Sequence, residues 1–466
     1  MLAELADAVR RREITAEALV TRSLERIERL DPPIGAVVRV RAEVALAEAR
    51  AVDARAAAGD ATGLLGGLPL LVKDNEDVAS LPTTYASLLF ADAPPAELDC
   101  EAVRRLRAAG AIVVGKTNLP EFAFEGFTDN RLFGPTRNPW APAWSPGGSS
   151  GGSGAALATG LAAIATGTDG GGSIRIPAAY CGLVGLKPTN GAIGRHPIPS
   201  WIDLSTKGPL ATTVADARLL FDVLRGPVAG DPTAVPWWEP PGGRAPRRIL
   251  ATPRMCPYGP LPGAVDAAWS RALARLEEAT GLPVEPIEPP FPTSVDDDWY
   301  TIVACEERAW IGADVAEARR ADLTAYVGWG IDLAQRTTLD GYLAARRRRF
   351  EMVKLLDDLL AEEAILVSPT MCVEGLSVDG RAPGTDGDAG PVEASEVSAY
   401  NTAAANVTGH PAISLPAGVS PNGVPFGLML TAPRFADDVL LAVAARWEAA
   451  APWPLAAPGY EPFDRP

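Results

Sequence analysis

The sequence predicts a layered α/β fold for this chain of 466 residues. Short apolar segments such as 68–72 and 111–114, typical of buried strands, are interspersed with longer segments in which apolar residues recur at helical spacing. Hydrophobic residues make up 47% of the chain, which is enough to fill a sizeable core between layers of helices and strands.

The first elements along the chain are predicted to be scaffold. Thr15 is a candidate cap for a helix that ends at Pro32–Pro33, and a second, alanine-rich helix runs over 42–58 and closes at Gly59. The segment LPLLVKDN then has the pattern of a short buried strand that ends on the charged side chain of Lys73.

Lys73 is a candidate general base. A lysine at a strand end is more often a surface residue, but this chain has only 5 lysines against 37 arginines, so lysine is not its default cation. Arginine has too high a pKa to act as a base, whereas burial lowers the pKa of lysine. Lowering that pKa from about 10.4 to near 7 costs roughly 4–5 kcal/mol, which an enclosed apolar pocket could impose.

Residues 110–117 match the phosphate-binding pattern GxxxxGK[ST]. In a phosphate-binding loop the residues between the glycines wrap the phosphates after a strand and before a helix. Here the segment 111–114 is apolar and favours a strand, and the helix predicted over 101–109 comes before it. The sequence therefore disfavours nucleotide binding.

Two glycine–serine loops, PGGSSGGSG and TDGGGSIR, organise the centre of the chain. The run of small and apolar residues between them, 155–165, is expected to pack as a helix against a sheet, which a solvated linker would not do. Gly170, Gly171 and Gly172 come directly before Ser173. Glycine allows close approach of backbone N–H donors, so the amides of these four residues are candidates for an oxyanion hole and Ser173 for the nucleophile.

Four further residues are predicted to support this loop rather than to react. Asp169 and Arg175 flank it and could form an ion pair across it. Ser150 and Thr168 are placed to hydrogen-bond its backbone.

A serine–histidine–aspartate hydrolase is an alternative interpretation, because Ser149 and Ser150 each lie within a GxSxG pattern. A nucleophile elbow of that kind needs an apolar strand immediately before it, which 142–146 is not. The chain has only two histidines, His196 and His410, each beside a proline. An esterase or lipase with this triad therefore stays a second alternative.

Strand and helix patterns continue after the serine loops. Strands are predicted at 249–252 and 411–416, and helices at 264–280 and 436–449. Trp299, Trp310, Tyr326 and Trp329 lie on helical stretches, where aromatic side chains usually belong to the core.

The chain resembles the amidase signature family of serine amidohydrolases in segments spread over roughly 65–430. In chain order these are GGLPLLVKDN, GKTNLPEF, FGPTRNPW, SPGGSSGGSGAA, GTDGGGSIRIPAAYCGLVGLKPT, GHPAISLPAG and GVPFGLML. The resemblance implies a Ser–Ser–Lys triad, with Ser173 as nucleophile, Ser149 as bridging serine after a cis peptide bond, and Lys73 as base. It also implies one large α/β/α domain, a mixed twisted sheet covered by helices on both faces.

Length alone allows about three domains, but the spread of these motifs favours one. We expect four parts: N-terminal helices (1–60), the signature core (65–225), a variable substrate-side region (226–400), and C-terminal strands and a helix that return to the core (401–466).

Three residues, Trp201, Phe127 and Ala123, are expected to line the substrate pocket. The segments 226–248 and 378–393 have the composition of surface loops, and the sequence leaves open whether either acts as a lid.

Composition excludes several classes of function. A formal net charge of −16 makes nucleic acid or an anionic membrane an unfavourable partner. The five cysteines are scattered without CxxC spacing, and no disulfide framework or zinc site is expected. The start of the chain has no apolar segment typical of a signal peptide, and no run is long enough to span a membrane, so we expect a cytoplasmic monomer or homodimer.

The resulting functional prediction is a serine amidohydrolase that needs no metal or organic cofactor. Its expected substrates are small neutral amides, anilides or carbamates (urethanes), with esterase activity as a related reaction. The tryptophan-bearing variable region favours these substrates. The first alternative, implied by the same resemblance, is the glutaminase-type A subunit of a tRNA amidotransferase.

Overall fold

The computed structural model describes residues 1–236, 245–361, 363–382 and 400–464. The two candidate loop segments, 226–248 and 378–393, therefore lie partly outside the described residues. None of the helices in the described ranges combines the length and the hydropathy that a membrane crossing needs.

A mixed sheet of 11 strands forms the centre of the described structure, in the order β1-β3-β2-β4-β6-β5-β10-β11-β9-β7-β8. The strands are β1 (Val37–Val40), β2 (Pro69–Lys73), β3 (Ile112–Thr117), β4 (Ile164–Asp169), β5 (Val184–Lys187), β6 (Thr206–Ala211), β7 (Arg248–Ala251), β8 (Val284–Pro286), β9 (Ala364–Pro369), β10 (Ala412–Val419) and β11 (Pro425–Thr431). β2 pairs in parallel with both β3 and β4, whereas β10 is antiparallel to β5 and β11.

Helices flank this sheet, which confirms the predicted α/β fold. They are α1 (Leu2–Arg10), α2 (Ala16–Leu30), α3 (Ala42–Ala58), α4 (Glu101–Ala108), α5 (Gly151–Ala158), α6 (Arg175–Cys181), α7 (Val214–Leu224), α8 (Gly263–Thr280), α9 (Asp296–Ile311), α10 (Ala313–Ala318), α11 (Ala325–Arg336), α12 (Leu339–Leu360), α13 (Ala403–Thr408) and α14 (Asp437–Ala450).

Local signals explain where several of these elements begin and end. The Thr15 side chain accepts a hydrogen bond from the N–H of Ala18 at 3.0 Å, which caps α2. Gly59 closes α3 with φ of +80°, a left-handed conformation that suits glycine. The segment that mimics a phosphate-binding loop is the buried strand β3, as its apolar residues predict.

The helix predicted over 155–165 is wrong in its extent. Helix α5 begins earlier, at Gly151, and ends at Ala158. Gly160 then adopts φ of +63°, which turns the chain out of the helix, and the apolar residues from Ile164 onward form β4. Continuous apolar character did not distinguish the end of a buried helix from the start of a buried strand.

Most of the buried apolar side chains in the described structure belong to two large cores. The larger contains central strand residues such as Leu70, Val113 and Ile413, all fully buried. The second contains Trp201 and Trp299 and is built mainly from α9, α11 and α12. The loops between the end of β4 and α6 lie where the second core meets the sheet.

Candidate active site

Two neighbouring strands bring the predicted site residues to one edge of the sheet. β2 ends at Lys73 and β4 ends at Asp169, and these strands pair in parallel. Because the carboxyl ends of parallel strands share an edge, Lys73 lies next to the glycine loop that follows β4. The first glycine–serine loop, PGGSSGGSG, leads into α5, which packs against both β2 and β4.

Lys73 is fully buried and its side-chain nitrogen contacts two hydroxyl groups. Nζ lies 2.7 Å from Ser149 Oγ and 2.8 Å from Thr168 Oγ1. The backbone N–H of Lys73 donates to Thr166 Oγ1 at 2.9 Å, which fixes the end of the strand. Burial lowers the pKa of Lys73 to about 7. At neutral pH a substantial fraction of this amine is therefore uncharged and able to accept a proton.

Ser150, the neighbour of Ser149, joins the two glycine–serine loops. Ser149 is buried and follows a cis peptide bond with Gly148. Ser150 donates its backbone N–H to the carbonyl oxygen of Ser173 at 3.1 Å, and its hydroxyl lies 3.3 Å from the carbonyl oxygen of Thr168. Ser150 thus holds the loop that carries Ser149 against the loop that carries Ser173.

The backbone N–H groups of the glycine loop, residues 170–173, differ in whether they form a hydrogen bond within the chain. The N–H of Gly172 donates to Asp169 Oδ1 at 2.8 Å and so is used to fix the loop. The N–H groups of Gly170, Gly171 and Ser173 form no hydrogen bond with any part of the chain that the structure describes. Of the four predicted oxyanion-hole donors, these three are available to a ligand.

Tryptophan rings explain why Gly170 and Gly171 are glycines. A Cβ atom added at Gly170 would lie 2.4 Å from the ring of Trp201, and one added at Gly171 would lie 2.6 Å from the ring of Trp299. The indole N–H of Trp299 also donates to the carbonyl oxygen of Gly170 at 2.7 Å. The loop backbone is therefore held between two rings and a hydrogen bond.

Asp169 and Arg175 form the ion pair predicted from the sequence, with N–O distances of 2.8 and 3.0 Å. Burial by itself would raise the pKa of Asp169, but the charge of Arg175 outweighs it and lowers that pKa to about 2. Asn406 donates to the same carboxylate at 2.9 Å, and the carbonyl oxygen of Thr402 accepts from Arg175 at 2.8 Å. The ion pair holds the glycine loop in place, and neither of its residues lines the two cavities described below.

A cavity of about 270 Å³ opens above these groups and is lined by Ser149, Thr168, Gly170 and Ser173. Its remaining wall comes from other parts of the chain: Asn75, Asp77, Tyr85, Cys100, Phe122, Ala123, Pro197, Ile198, Pro199, Ser200, Trp201, Ser205, Lys207, Glu307 and Trp310. We refer to it as the larger cavity.

A second cavity of about 40 Å³, the smaller cavity, meets the larger one at Ser173. Ala123 and Trp201, two of the residues expected in the substrate pocket, line both cavities. Phe127 lines neither: its ring packs in a separate apolar cluster, 5.8 Å from the ring of Tyr326. The backbone of Phe127 lies against the first glycine–serine loop, since a Cβ atom added at Gly148 would lie 2.4 Å from its carbonyl oxygen, but its side chain does not reach the site.

Several site residues were not found by sequence reasoning. Asn75 follows Lys73 by two positions within the motif GGLPLLVKDN, so its position offered a signal. Thr402 and Asn406 support the glycine loop from more than 200 positions further along the chain, and Glu307 on α9 lines the larger cavity. No local pattern marks these three.

The described residues do not suggest a metal centre or a histidine-dependent site. They contain no group of three or more His, Cys, Asp or Glu side chains that could hold a metal ion. His196 is exposed, and His410 is buried 3.1 Å from Asp357. Neither histidine lines the larger or the smaller cavity.

Comparison with known proteins agrees with this geometry. Residues 18–441 match the family model described as Amidase. AmiA2 of Mycobacterium tuberculosis, itself assigned only provisionally as an amidase, is 36% identical over 458 residues, covering 95% of this chain and 91% of AmiA2. The A subunit of the glutamyl-tRNA(Gln) amidotransferase of Thermobifida fusca is 35% identical, covering 96% of this chain and 95% of that protein.

A solved structure supports the same conclusion. A bacterial aryl acylamidase of the amidase signature enzymes superimposes with a TM-score of 0.88 at 29% identity, covering 97% of this chain and 96% of that one. Fold and site together define a hydrolase that acts on carbon–nitrogen bonds. The chain belongs to the amidase signature family.

Proposed function

We propose that this protein is a serine amidohydrolase that uses Lys73, Ser149 and Ser173 as a triad and forms an acyl-enzyme on Ser173. The observation that carries the proposal is the 2.7 Å contact between a fully buried lysine amine and Ser149, in a cavity that Ser173 also lines. A serine hydroxyl is a weak nucleophile until a base takes its proton.

The first half of the reaction follows from these positions. Uncharged Lys73 takes the proton of Ser149, which in turn takes the proton of Ser173. The Ser173 oxygen adds to the substrate carbonyl carbon, and the C=O bond becomes a C–O⁻ bond. The free N–H groups of Gly170, Gly171 and Ser173 are the donors for that oxyanion.

The second half releases the amine and then the acid. The C–N bond breaks as Ser149 gives a proton to the leaving nitrogen and regains one from Lys73. Water then adds to the acyl-enzyme as Ser149 takes its proton and passes one to Lys73. The Ser173–acyl bond breaks as Ser149 returns a proton to the Ser173 oxygen and regains one from Lys73. The sum is one water consumed, one amine and one carboxylic acid formed, without a cofactor.

The proposed substrates are small amides, anilides or carbamates, with ester cleavage as a side reaction of the same acyl-enzyme. The aromatic side chains at both cavities support a flat or apolar group near Ser173, as with Trp201 and Trp299, whose ring centres lie 5.5 Å apart. Similarity to a structure described as an aryl acylamidase supports anilides in particular. All five cysteines are free thiols, which supports a reducing, cytoplasmic setting for a monomer or homodimer.

A glutaminase component of an amidotransferase is the second candidate, because the amidotransferase protein of Thermobifida fusca is nearly as similar as AmiA2. Glutamine would need a cation for its carboxylate. Among the residues lining the larger cavity, Lys207 is already paired with Glu76 at 2.9 Å. We therefore rank this function below independent hydrolysis. Glutamine-dependent ammonia release together with a co-purifying partner would reverse the order.

The test combines covalent labelling with a substrate panel. A fluorophosphonate should label wild-type protein and fail to label Ser173→Ala. Turnover of p-nitroanilides, aliphatic amides, aryl carbamates and glutamine should be lost in Ser173→Ala and Lys73→Ala. It should persist in Lys354→Ala, a control at an exposed lysine. Labelling at another serine, or full activity of Lys73→Ala, would contradict the proposal.

A further inference from the structure

The larger cavity presents acceptor atoms that the proposed reaction does not use. Glu307 is 2% exposed, lines this cavity and accepts a hydrogen bond from Ser200 Oγ at 2.8 Å. Its neighbour Glu306 is paired with Arg346 at 2.8 Å, whereas none of the ion pairs among the described residues includes Glu307, although buried carboxylates are usually paired. Asn75 adds a buried Oδ1 that has no hydrogen-bond partner among the described residues.

Acidic groups outnumber basic groups among the described residues that line this wall. Asp77 and Glu307 both line the larger cavity, and the lining cation Lys207 is paired with Glu76. Burial raises the pKa of Glu307 to about 8, against the lowering effect of hydrogen bonds from Ser200 and Trp201, and the charges of Glu121 and Glu306 add to the rise. The carboxyl group therefore remains largely uncharged until a cation approaches it. A substrate ammonium group would supply the missing partner.

The position of Ser149 indicates which half of the substrate meets this wall. In the proposed reaction Ser149 gives its proton to the leaving amine. Ser149 lines the larger cavity and does not line the smaller one. The leaving amine therefore faces the larger cavity, and the acyl group is left to the smaller one, whose volume suits a short acid.

We propose that the larger cavity binds the amine half of an N-acylated diamine, with Glu307 pairing with the distal ammonium group. This inference rests on the proposed function and narrows its substrate class. The sequence favoured neutral substrates because of the tryptophans, but the buried unpaired carboxyl favours an amide that is neutral at the reacting end and cationic at the other. The acyl group would be short, such as acetyl.

The test compares substrates that differ only at the distal end. N-acetyl-1,ω-diaminoalkanes with two to six methylenes are matched with N-acetylalkylamines in which a methyl group replaces the ammonium. Acetate release measures kcat/KM for both series. At one methylene chain length, kcat/KM for the ammonium substrate should exceed that for the matched N-acetylalkylamine by at least about tenfold. This ratio corresponds to about 1.4 kcal/mol of discrimination.

Glu307→Gln should remove this discrimination, because a carboxamide of the same shape cannot take up a negative charge. Glu278→Gln, on an exposed face of α8, is the matched control and should keep the wild-type ratio. Free diamines should also inhibit the wild-type protein more strongly than alkylamines of equal length. This comparison tests the same contact without a variant.

Three results would overturn the inference: no preference for the ammonium at any length, an unchanged preference in Glu307→Gln, or a preference only when the ammonium is placed on the acyl half. Fluorophosphonate labelling distinguishes a failure of the diamine inference from a failure of the proposed function. Labelled Ser173 with no ammonium preference refutes the diamine inference alone. An unlabelled Ser173 with no amide turnover refutes the proposed function, and the inference with it.

Discussion

The two walls of the larger cavity are built in different ways. On the side of the sheet, Ser149 lines the cavity, and it and its neighbours Lys73 and Ser150 are each held by hydrogen bonds to neighbouring loops and strands. On the side of α9, aromatic rings pack against one another, with the ring of Trp310 4.9 Å from that of Tyr85. The comparison indicates that polar contacts fix the reacting groups, whereas apolar packing shapes the space for the substrate.

Lys73 can also be compared with Lys187, a second buried lysine elsewhere in the fold. Burial lowers the pKa of Lys187 to about 7, as it does for Lys73. The Nζ atom of Lys187, however, lies 2.7 Å from the carbonyl oxygen of Pro188 and 3.0 Å from Asn190 Oδ1, and it lines neither cavity. A low pKa alone does not make a catalytic base.

The largest expected effect is the loss of activity in Lys73→Met. Removing a member of a catalytic triad lowers kcat on the order of 10⁴-fold or more, since no other group can take the proton of Ser149. Lys187→Met should keep kcat close to wild type while losing stability to urea, because a buried carbonyl oxygen and a partly buried amide oxygen lose their donor. Comparable losses of kcat in the two variants would mean that the contact between Lys73 and Ser149 does not account for the catalytic role of Lys73.

The next largest effect is expected in Gly171→Ala. The added methyl group would lie 2.6 Å from the ring of Trp299, so the loop must shift and its N–H donors move away from the oxyanion. Loss of one such donor lowers kcat by about 10²–10³-fold, with a smaller change in KM. Gly263→Ala, at the first residue of α8 with open space around it, is the control. A rise in KM alone would contradict the assigned role.

How much of this site could be foreseen depends on where its residues lie in the chain. Lys73, Ser149, Ser173, Asp169 and Arg175 belong to short segments whose composition carries chemical meaning, so the sequence was sufficient to single them out. The sheet order was not foreseeable in the same way, because strands far apart in the chain become neighbours only through long-range packing.

The substrate-side wall could not be predicted, for a physical reason. Glu307 and Trp299 lie on an amphipathic helix that resembles many others. Their side chains reach the cavities only through long-range packing, of Trp299 against the glycine loop and of Glu307 against Ser200. Phe127 shows the reverse case. Its backbone lies against the first glycine–serine loop, yet its side chain is buried in another cluster.

The third prediction concerns pH. Because the pKa of Lys73 is about 7 and the uncharged amine is the reactive form, kcat/KM should fall about tenfold per pH unit below 7 and level off above it. Glu307 and Asp296, with pKa values of about 8 and 6, also line the cavities. Glu307→Gln and Asp296→Asn should both retain the acid limb near 7. If the pH at which kcat/KM falls were to change in one of these variants, the acid limb would belong to the carboxyl group that was replaced and not to Lys73.

The smallest expected effect comes from Trp299→Phe, which tests whether apolar packing alone holds the glycine loop. This change keeps a ring beside Gly171 but removes the 2.7 Å hydrogen bond to the carbonyl oxygen of Gly170. A hydrogen bond of this kind contributes about 1 kcal/mol, so kcat should fall about fivefold if the bond aligns the loop for the transition state. Trp447→Phe loses a similar bond, 3.0 Å to the carbonyl oxygen of Pro416, away from both cavities. That control should lose stability by a similar amount while kcat stays unchanged, and equal kcat values in the two variants would show that ring packing suffices to place the oxyanion donors.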